Sequence, residues 1–203
     1  MSRRSRRICS LLVLVLFPAV LALAQSTQLI PWDADALLAW EDFQGVPPAN
    51  AAQLSEVAAI HMTVKWHASY TVQSQRGNRY SWVGTMQDVI VSNLMNPRFS
   101  WVLSSKATPA GLHHEQLHFD LNEVYRRKLS EALSALRVEG STAEATMGDL
   151  DARIKRTADD LLDRLTDMQD RYDLETSHSI DAVAQAEWEN DIRVWLASPA
   201  LAP

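Results

Sequence analysis

Between residues 58 and 72 apolar and polar side chains alternate almost without interruption. Ala58, Ile60, Met62, Val64, Trp66, Ala68, Tyr70 and Val72 fall on one face, and His61, Thr63, Lys65, His67, Ser69 and Thr71 on the other. A period of two over that length predicts a half-buried antiparallel strand, with His61 and His67 on its solvent side. Arg76-Gly77-Asn78-Arg79 is a hairpin turn signal. Residues 80–91 read as the return strand, with a phase change around Gly84 that suggests a bulge. Asn96-Pro97 turns the chain again, and residues 99–103 make a third strand. Upstream, residues 34–40 could form a short helix behind Asp33, and Trp40 and Phe43 read as an aromatic plug packed on the core.

The period then changes to that of a helix. Thr108 can cap, Pro109 suits the first helical position, and nothing breaks the run before Gly140. Leu121, Val124, Tyr125, Leu129, Ala132, Leu133 and Leu136 form its apolar side. Ser141-Thr142-Ala143-Glu144 is a capping box for a second helix, whose core stripe runs from Met147 through Leu150, Ile154, Ala158, Leu161, Leu165 and Met168 to Tyr172. After a polar connector, a last amphipathic helix points Val183, Ala184, Trp188, Ile192 and Trp195 inward, and the tail beyond Ser198 is expected to fray. The pattern defines an α+β domain: a small antiparallel sheet, a long antiparallel helical hairpin and a C-terminal helix.

The first 24 residues change the picture of where this domain works. Arg3-Arg4-Ser5-Arg6-Arg7, an apolar run from Ile8 to Leu23 and a small-residue end at Ala22-Leu23-Ala24 have the plan of a secretory signal peptide, cleaved after Ala24. The sole cysteine, Cys9, lies inside that leader, so residues 25–203 form a single domain with no thiolate and no membrane anchor. Loss of the leader removes four arginines and no acid, leaving 15 basic against 25 acidic residues. That balance argues against nucleic acid or an anionic membrane as partner. Seven tryptophans point to a substantial core or an aromatic-lined groove.

The chemistry sits at the start of the first helix, where His114-Glu115-Gln116-Leu117-His118 is an H-E-x-x-H sequence. On a helix, residues four apart share a face, so His114 and His118 can bind one ion. Zn²⁺ suits imidazole nitrogen and keeps a position for water in catalytic sites. Glu115 lies to the side, placed to take a proton from activated water without being a ligand. His113 falls about 100° round the helix, and reads as a surface or supporting residue. A catalytic zinc takes three protein ligands, and the candidates for the third are His178, a second-helix carboxylate such as Asp163, and Asp120 or Glu123 on the same helix. A hairpin turning at Gly140–Ser141 sets residues 162–167 opposite the histidine pair. His178 then follows Tyr172 closely enough to fold back over the metal, which favours it.

The sequence resembles a bacterial family of unknown function described as predicted secreted zinc-dependent proteases. The shared features are Trp40-x-Asp42-Phe43-x-Gly45, His114-Glu115-Gln116-x-His118-Phe119-Asp120, Tyr172-Asp173-x-x-Thr176-x-His178 and Gln185-x-x-Trp188. Ser179 stands where the family pattern leads one to expect glycine. The resemblance implies a zincin-like fold and hydrolysis of a peptide or protein substrate in the periplasm or outside the cell. Three readings follow: a zinc metallopeptidase, an amidase acting on cell-wall peptides, and a non-catalytic exported metal-binding scaffold.

Overall fold

The computed structural model describes residues 28–51, 57–75 and 81–203. The leader expected at 1–24 and the hairpin turn expected at 76–79 lie outside them. Strands β1 (Ile30–Pro31), β2 (Ala58–Ala59), β3 (Met62–Gln75), β4 (Ser81–Met95) and β5 (Trp101–Val102) precede helix α1 (Pro109–Ser134). Strand β6 (Arg137–Gly140) separates α1 from α2 (Ala143–Thr176), and α3 (Ala182–Ala197) follows. The class is the α+β arrangement expected.

β3 and β4 form the predicted antiparallel ribbon, from Met62 opposite Met95 to Gln75 opposite Ser81. β1 and β6 share the other edge of β4, one at each end. The bulge falls at Gln87, because Ser69 pairs with Asp88 and Tyr70 with Met86. Gly84 marks something else: a Cβ there would stand 3.0 Å from Leu150 Cδ2, so the residue lets α2 lie close on the sheet. The alternating stretch is also cut in two. Ile60 and His61 leave the ladder because their N–H groups donate elsewhere, to Glu115 Oε2 at 3.0 Å and Ser100 Oγ at 2.8 Å. The piece before the break pairs with β5 in a separate two-stranded sheet.

α1 starts as expected, with Thr108 Oγ1 accepting from the Gly111 N–H at 3.0 Å. It ends at Ser134, well short of Gly140. The reason is Val138: residues 137–140 pair with β4 and bury Val138 beside Leu129, Leu133, Leu150 and Ile154. A strand buries that side chain and satisfies its backbone at once, which outweighs continued helix. A second apolar cluster joins Leu121, Val124 and Tyr125 of α1 to Leu165, Met168 and Tyr172 of α2 and to Trp188 and Ile192 of α3.

Two expectations at the C-terminus are corrected. Val183 faces solvent, because Asp181 caps α3 and the first turn points it outward. The tail does not fray: Ala202 is buried, and its carbonyl and that of Pro203 accept from Lys128 Nζ, with Tyr125 Oη also donating to Pro203. Near the N-terminus residues 34–39 are not helical. They lie as a strap on α1, where Leu38 N–H donates to Gln116 Oε1 at 2.9 Å and Trp32 Nε1 to Asp120 Oδ1 at 2.7 Å. Among the described residues no helix is long and apolar enough to cross a membrane.

The Trp40-x-Asp42-Phe43-x-Gly45 stretch anchors that strap. Phe43 is buried against Trp40 in an edge contact, with Met95 and Phe119 beyond. Asp42 accepts from the Ala39 N–H, and Gly45 N–H donates to the Ser100 carbonyl at 2.7 Å. A Cβ on Gly45 would meet that carbonyl oxygen at 2.7 Å and the Arg98 one at 2.9 Å, both backbone atoms with no freedom to yield. Gly45→Ala is therefore expected to cost about 1–3 kcal/mol, the usual penalty of overpacking. Urea denaturation with an unchanged m-value measures it, and a variant as stable as wild type would show that the 96–100 turn gives way.

Candidate metal centre

Residues 114 to 118 of α1 face the last two turns of α2, and the contacts set the register. His118 lies against Gln169, while His114 stacks on Tyr172, ring centroids 4.6 Å apart and planes at 20°. Tyr172 also meets His118 edge-on at 4.7 Å and is fully buried beneath the pair. The facing residues are thus 169–173 rather than 162–167. Residues 137–140 run on as extended strand, at about 3.3 Å per residue against about 1.5 Å in a helix, so α2 starts further away and needs more of its length to return to the histidines. This corrects the candidacy of Asp163, which is exposed on the outer side of α2. It also brings Asp173 into the site, a residue not weighed as a ligand from sequence although it stands in the Tyr172-Asp173-x-x-Thr176-x-His178 pattern.

Asp173 Oδ1 is the point on which the donors converge. It lies 2.9 Å from His118 Nε2, 3.0 Å from His114 Nε2 and 3.3 Å from His178 Nδ1, and the two Nε2 atoms are 3.2 Å apart. The donor atoms of His114, Asp173 and His178 all fall within 4.8 Å of one another. Bonds of roughly 2.0–2.1 Å from a tetrahedral zinc place neighbouring donors roughly 3.3 Å apart. The separations match that spacing, and imidazole with carboxylate is a donor set zinc accepts. The group can hold a metal ion.

His178 reaches the centre by a tight reversal, not by an extended excursion. Ser177, His178 and Ser179 take φ of 48°, 51° and 72°, and His178 N–H donates back to the Asp173 carbonyl at 3.1 Å. Three successive non-glycine residues in the left-handed region are strained. The turn expected from a glycine at 179 forms here on serine. Of the other histidines, His113 pairs with Glu189 at the surface, His67 is exposed on β3 as expected, and His61 is exposed just before β3, outside the ladder. Asp120 accepts from Trp32 and Gln116, and Glu123 is buried between Arg126 and Arg127, so neither is near the centre.

Glu115 is buried beside the histidines but is not one of the converging donors. Its Oε2 accepts from the Ile60 N–H, and among the described residues no group hydrogen-bonds Oε1. Burial raises its pKa, an effect the neighbouring His118 and His114 only partly offset. Burial pushes Asp173 the same way, yet the hydrogen bonds from His114 and His118 and their charges outweigh it and hold that carboxyl well below the usual range. A cleft of about 210 Å³ opens over the group, with Val57, Ala58, Ala59, Ile60 and Met62 along one wall and Gln169, His178 and Ser179 on the other side.

Fold and site together define an α+β domain whose helical hairpin carries a His/Asp/His group able to bind a metal ion. The chain belongs to the family described as "Bacterial protein of unknown function (DUF922)", matched over residues 42–179. That span contains Glu115 and every converging donor, and stops before α3. No curated protein and no solved structure matches the chain.

The strained reversal yields a stability test. Ser179→Gly relieves the left-handed penalty while adding freedom to the unfolded chain, so it should leave stability unchanged or raise it by up to about 1 kcal/mol. Ser179→Val places a β-branched residue at the same φ and should cost about 1–3 kcal/mol. Thermal melts of the metal-free protein compare the two; equal melting temperatures would mean that residue 179 is not held in the left-handed region.

Proposed function

We propose that this protein is an exported zinc-dependent metallohydrolase, foremost a peptidase, working in the periplasm or outside the cell after removal of residues 1–24. The observation that carries the reading is a buried carboxylate, Glu115, set beside the converging His114, His118, Asp173 and His178 donors without joining them, at the floor of an open cleft. His114, His118 and His178 would hold the metal, with Asp173 as a further donor. A bound zinc ion supplies Lewis-acid polarisation of a carbonyl and acidifies water.

The rest belongs to the chain. Ile60 N–H fixes one oxygen of Glu115 and so aims the carboxylate, leaving Oε1 to accept a proton from a water in the cleft and return it to a leaving amine. Burial raises the proton affinity of Glu115, which suits a base that must later act as an acid. The wall from Val57 to Met62 is built of apolar residues and can face the side chains of a peptide. A peptide, including a cell-wall peptide cut by an amidase, is the substrate class that fits.

A second reading rests on the donor count. Four protein donors close a tetrahedral site, and closed sites are structural. A non-catalytic exported metal-binding scaffold would use the same four residues and leave Glu115 without a task. Hydrolysis of casein or a quenched peptide library by zinc-loaded protein, abolished by chelator and restored by zinc, supports the hydrolase. One tightly held zinc per chain with no turnover on any of these substrates supports the scaffold.

Glu115→Gln is expected to keep zinc, since no donor atom is lost, and to lower turnover by about 10²–10⁴-fold, the range for loss of a general base. His178→Ala should weaken zinc binding about as much as His118→Ala, whereas His61→Ala and His67→Ala should not change it. Metal content after dialysis and the peptide assay read both. Loss of zinc from the Glu115 variant would make that residue structural, and wild-type affinity in the His178 variant would leave His114, His118 and Asp173 as the ligand set.

A further inference from the structure

The second nitrogen of each motif histidine is engaged by a glutamine, and the two glutamines are wired alike. Gln169 Nε2 donates to the His118 carbonyl at 3.0 Å, so its Oε1 is the atom turned toward His118 Nδ1, 2.6 Å away. A carbonyl oxygen only accepts, so the proton at that contact belongs to Nδ1. On the other side, Tyr172 Oη donates to the His114 carbonyl and accepts from Gln185 Nε2 at 2.6 Å. That leaves Gln185 Oε1 facing His114 Nδ1 at 3.1 Å, again a carbonyl that needs an N–H. In both cases the amide is oriented by the main-chain carbonyl of the histidine it serves, directly for His118 and through Tyr172 for His114.

We infer that Gln169 and Gln185 are positioning residues that keep a proton on Nδ1 of His118 and His114, so that Nε2 is the nitrogen each imidazole turns to the centre and offers to a metal. The inference rests on the reading of this centre as a metal site and names what prepares it. Its consequence is visible in the geometry: the two Nε2 atoms lie 3.2 Å apart, with Asp173 Oδ1 2.9 Å from that of His118 and 3.0 Å from that of His114, so a proton held among them is one that a metal displaces. Two ring nitrogens and a carboxylate oxygen aimed at one point favour a shared cation. Ligating histidines are commonly oriented by such outer contacts, whose loss weakens metal binding by about 10–100-fold. Gln185 lies on α3, beyond the span matched to the family, so the last helix takes part in the site.

Long-range ¹⁵N–¹H spectra of the metal-free wild-type protein, recorded at mildly alkaline pH where free imidazole is neutral, test this directly. His114 and His118 should both carry the proton on Nδ1. Gln169→Leu should move His118 toward the Nε2–H form and weaken zinc binding about 10–100-fold, while Gln169→Glu, which keeps an acceptor, should retain the tautomer and bind zinc within a few-fold of wild type. Gln185→Leu and Gln185→Glu should repeat the pattern at His114 alone. Absence of an Nδ1–H signal for either histidine in the wild type overturns the assignment for its glutamine, whether or not the leucine variants fold. Unchanged tautomer and zinc affinity in a folded leucine variant does the same. Absence of peptide hydrolysis with both tautomers as expected would sink the hydrolase and leave this inference standing.

Discussion

Tyr172 lies face to face with His114 and edge-on to His118, and the centre exists because this buried ring keeps α1 and α2 in one register. A shift of α2 by one residue would turn Tyr172 about 100° out of the contact and carry Asp173 away with it. Several interactions resist such a shift. Trp188 of α3 packs edge-on against Tyr172 at 5.3 Å and donates from Nε1 to Glu175. Thr176 Oγ1 bonds back to the Tyr172 carbonyl, and Asp181 N–H to the Thr176 carbonyl, closing the end of α2. The short strand β6 fixes the other end by pairing Arg137–Gly140 with β4. The register of the hairpin is thus set by the sheet far from the site as much as by contacts within it.

The opposite side of α1 is held by polar groups of the same motif. Gln116 Oε1 accepts from Leu38 N–H and its Nε2 donates to Asp120, which in turn accepts from Trp32. Asn122 Nδ2 donates to Asn93 Oδ1 of β4, and Asn93 Nδ2 to the Phe119 carbonyl. The motif helix is therefore bonded to the N-terminal strap, the sheet and both later helices. Buried side-chain hydrogen bonds of this kind specify one orientation of the helix, because any rotation leaves polar atoms unpaired in an apolar setting.

Much of this was legible in the sequence, and the parts that were not have physical causes. The ribbon, the start of α1 and the stripe on α2 follow from local periodicity and capping, which neighbouring elements reinforce. His114, Glu115 and His118 carry their meaning in their spacing. The break at Ile60 was hidden, since it depends on Glu115 capturing a backbone N–H from 55 residues away. So was β6: residues 135–140 continue a helical pattern, and only the open edge of β4 makes a strand the better outcome for Val138. That misreading moved the expected hairpin register from 169–173 to 162–167, which hid Asp173 and promoted Asp163. The Asp173 signal was present beside Tyr172 and His178, but a single acid at a helix end has no distinguishing period.

The charge balance of the centre is the step that ties these pieces to metal binding. Two carboxylates, Glu115 and Asp173, share the site, and the residues lining the cleft include no lysine or arginine. Buried carboxylates without a compensating cation are costly, and the usual protein solution is an adjacent guanidinium, as around Glu123. Among the described residues that line the cleft, positive charge can come from the histidines alone. Holding two protonated imidazoles in contact, with Nε2 atoms 3.2 Å apart, would exchange one electrostatic penalty for another. A metal cation held between His114, His118, Asp173 and His178 would remove both at once: it would neutralise the carboxylates and give each Nε2 lone pair an acceptor. Metal binding at such a site would be coupled to folding, because the α1–α2 register that Tyr172 maintains is the same register that brings the donors together.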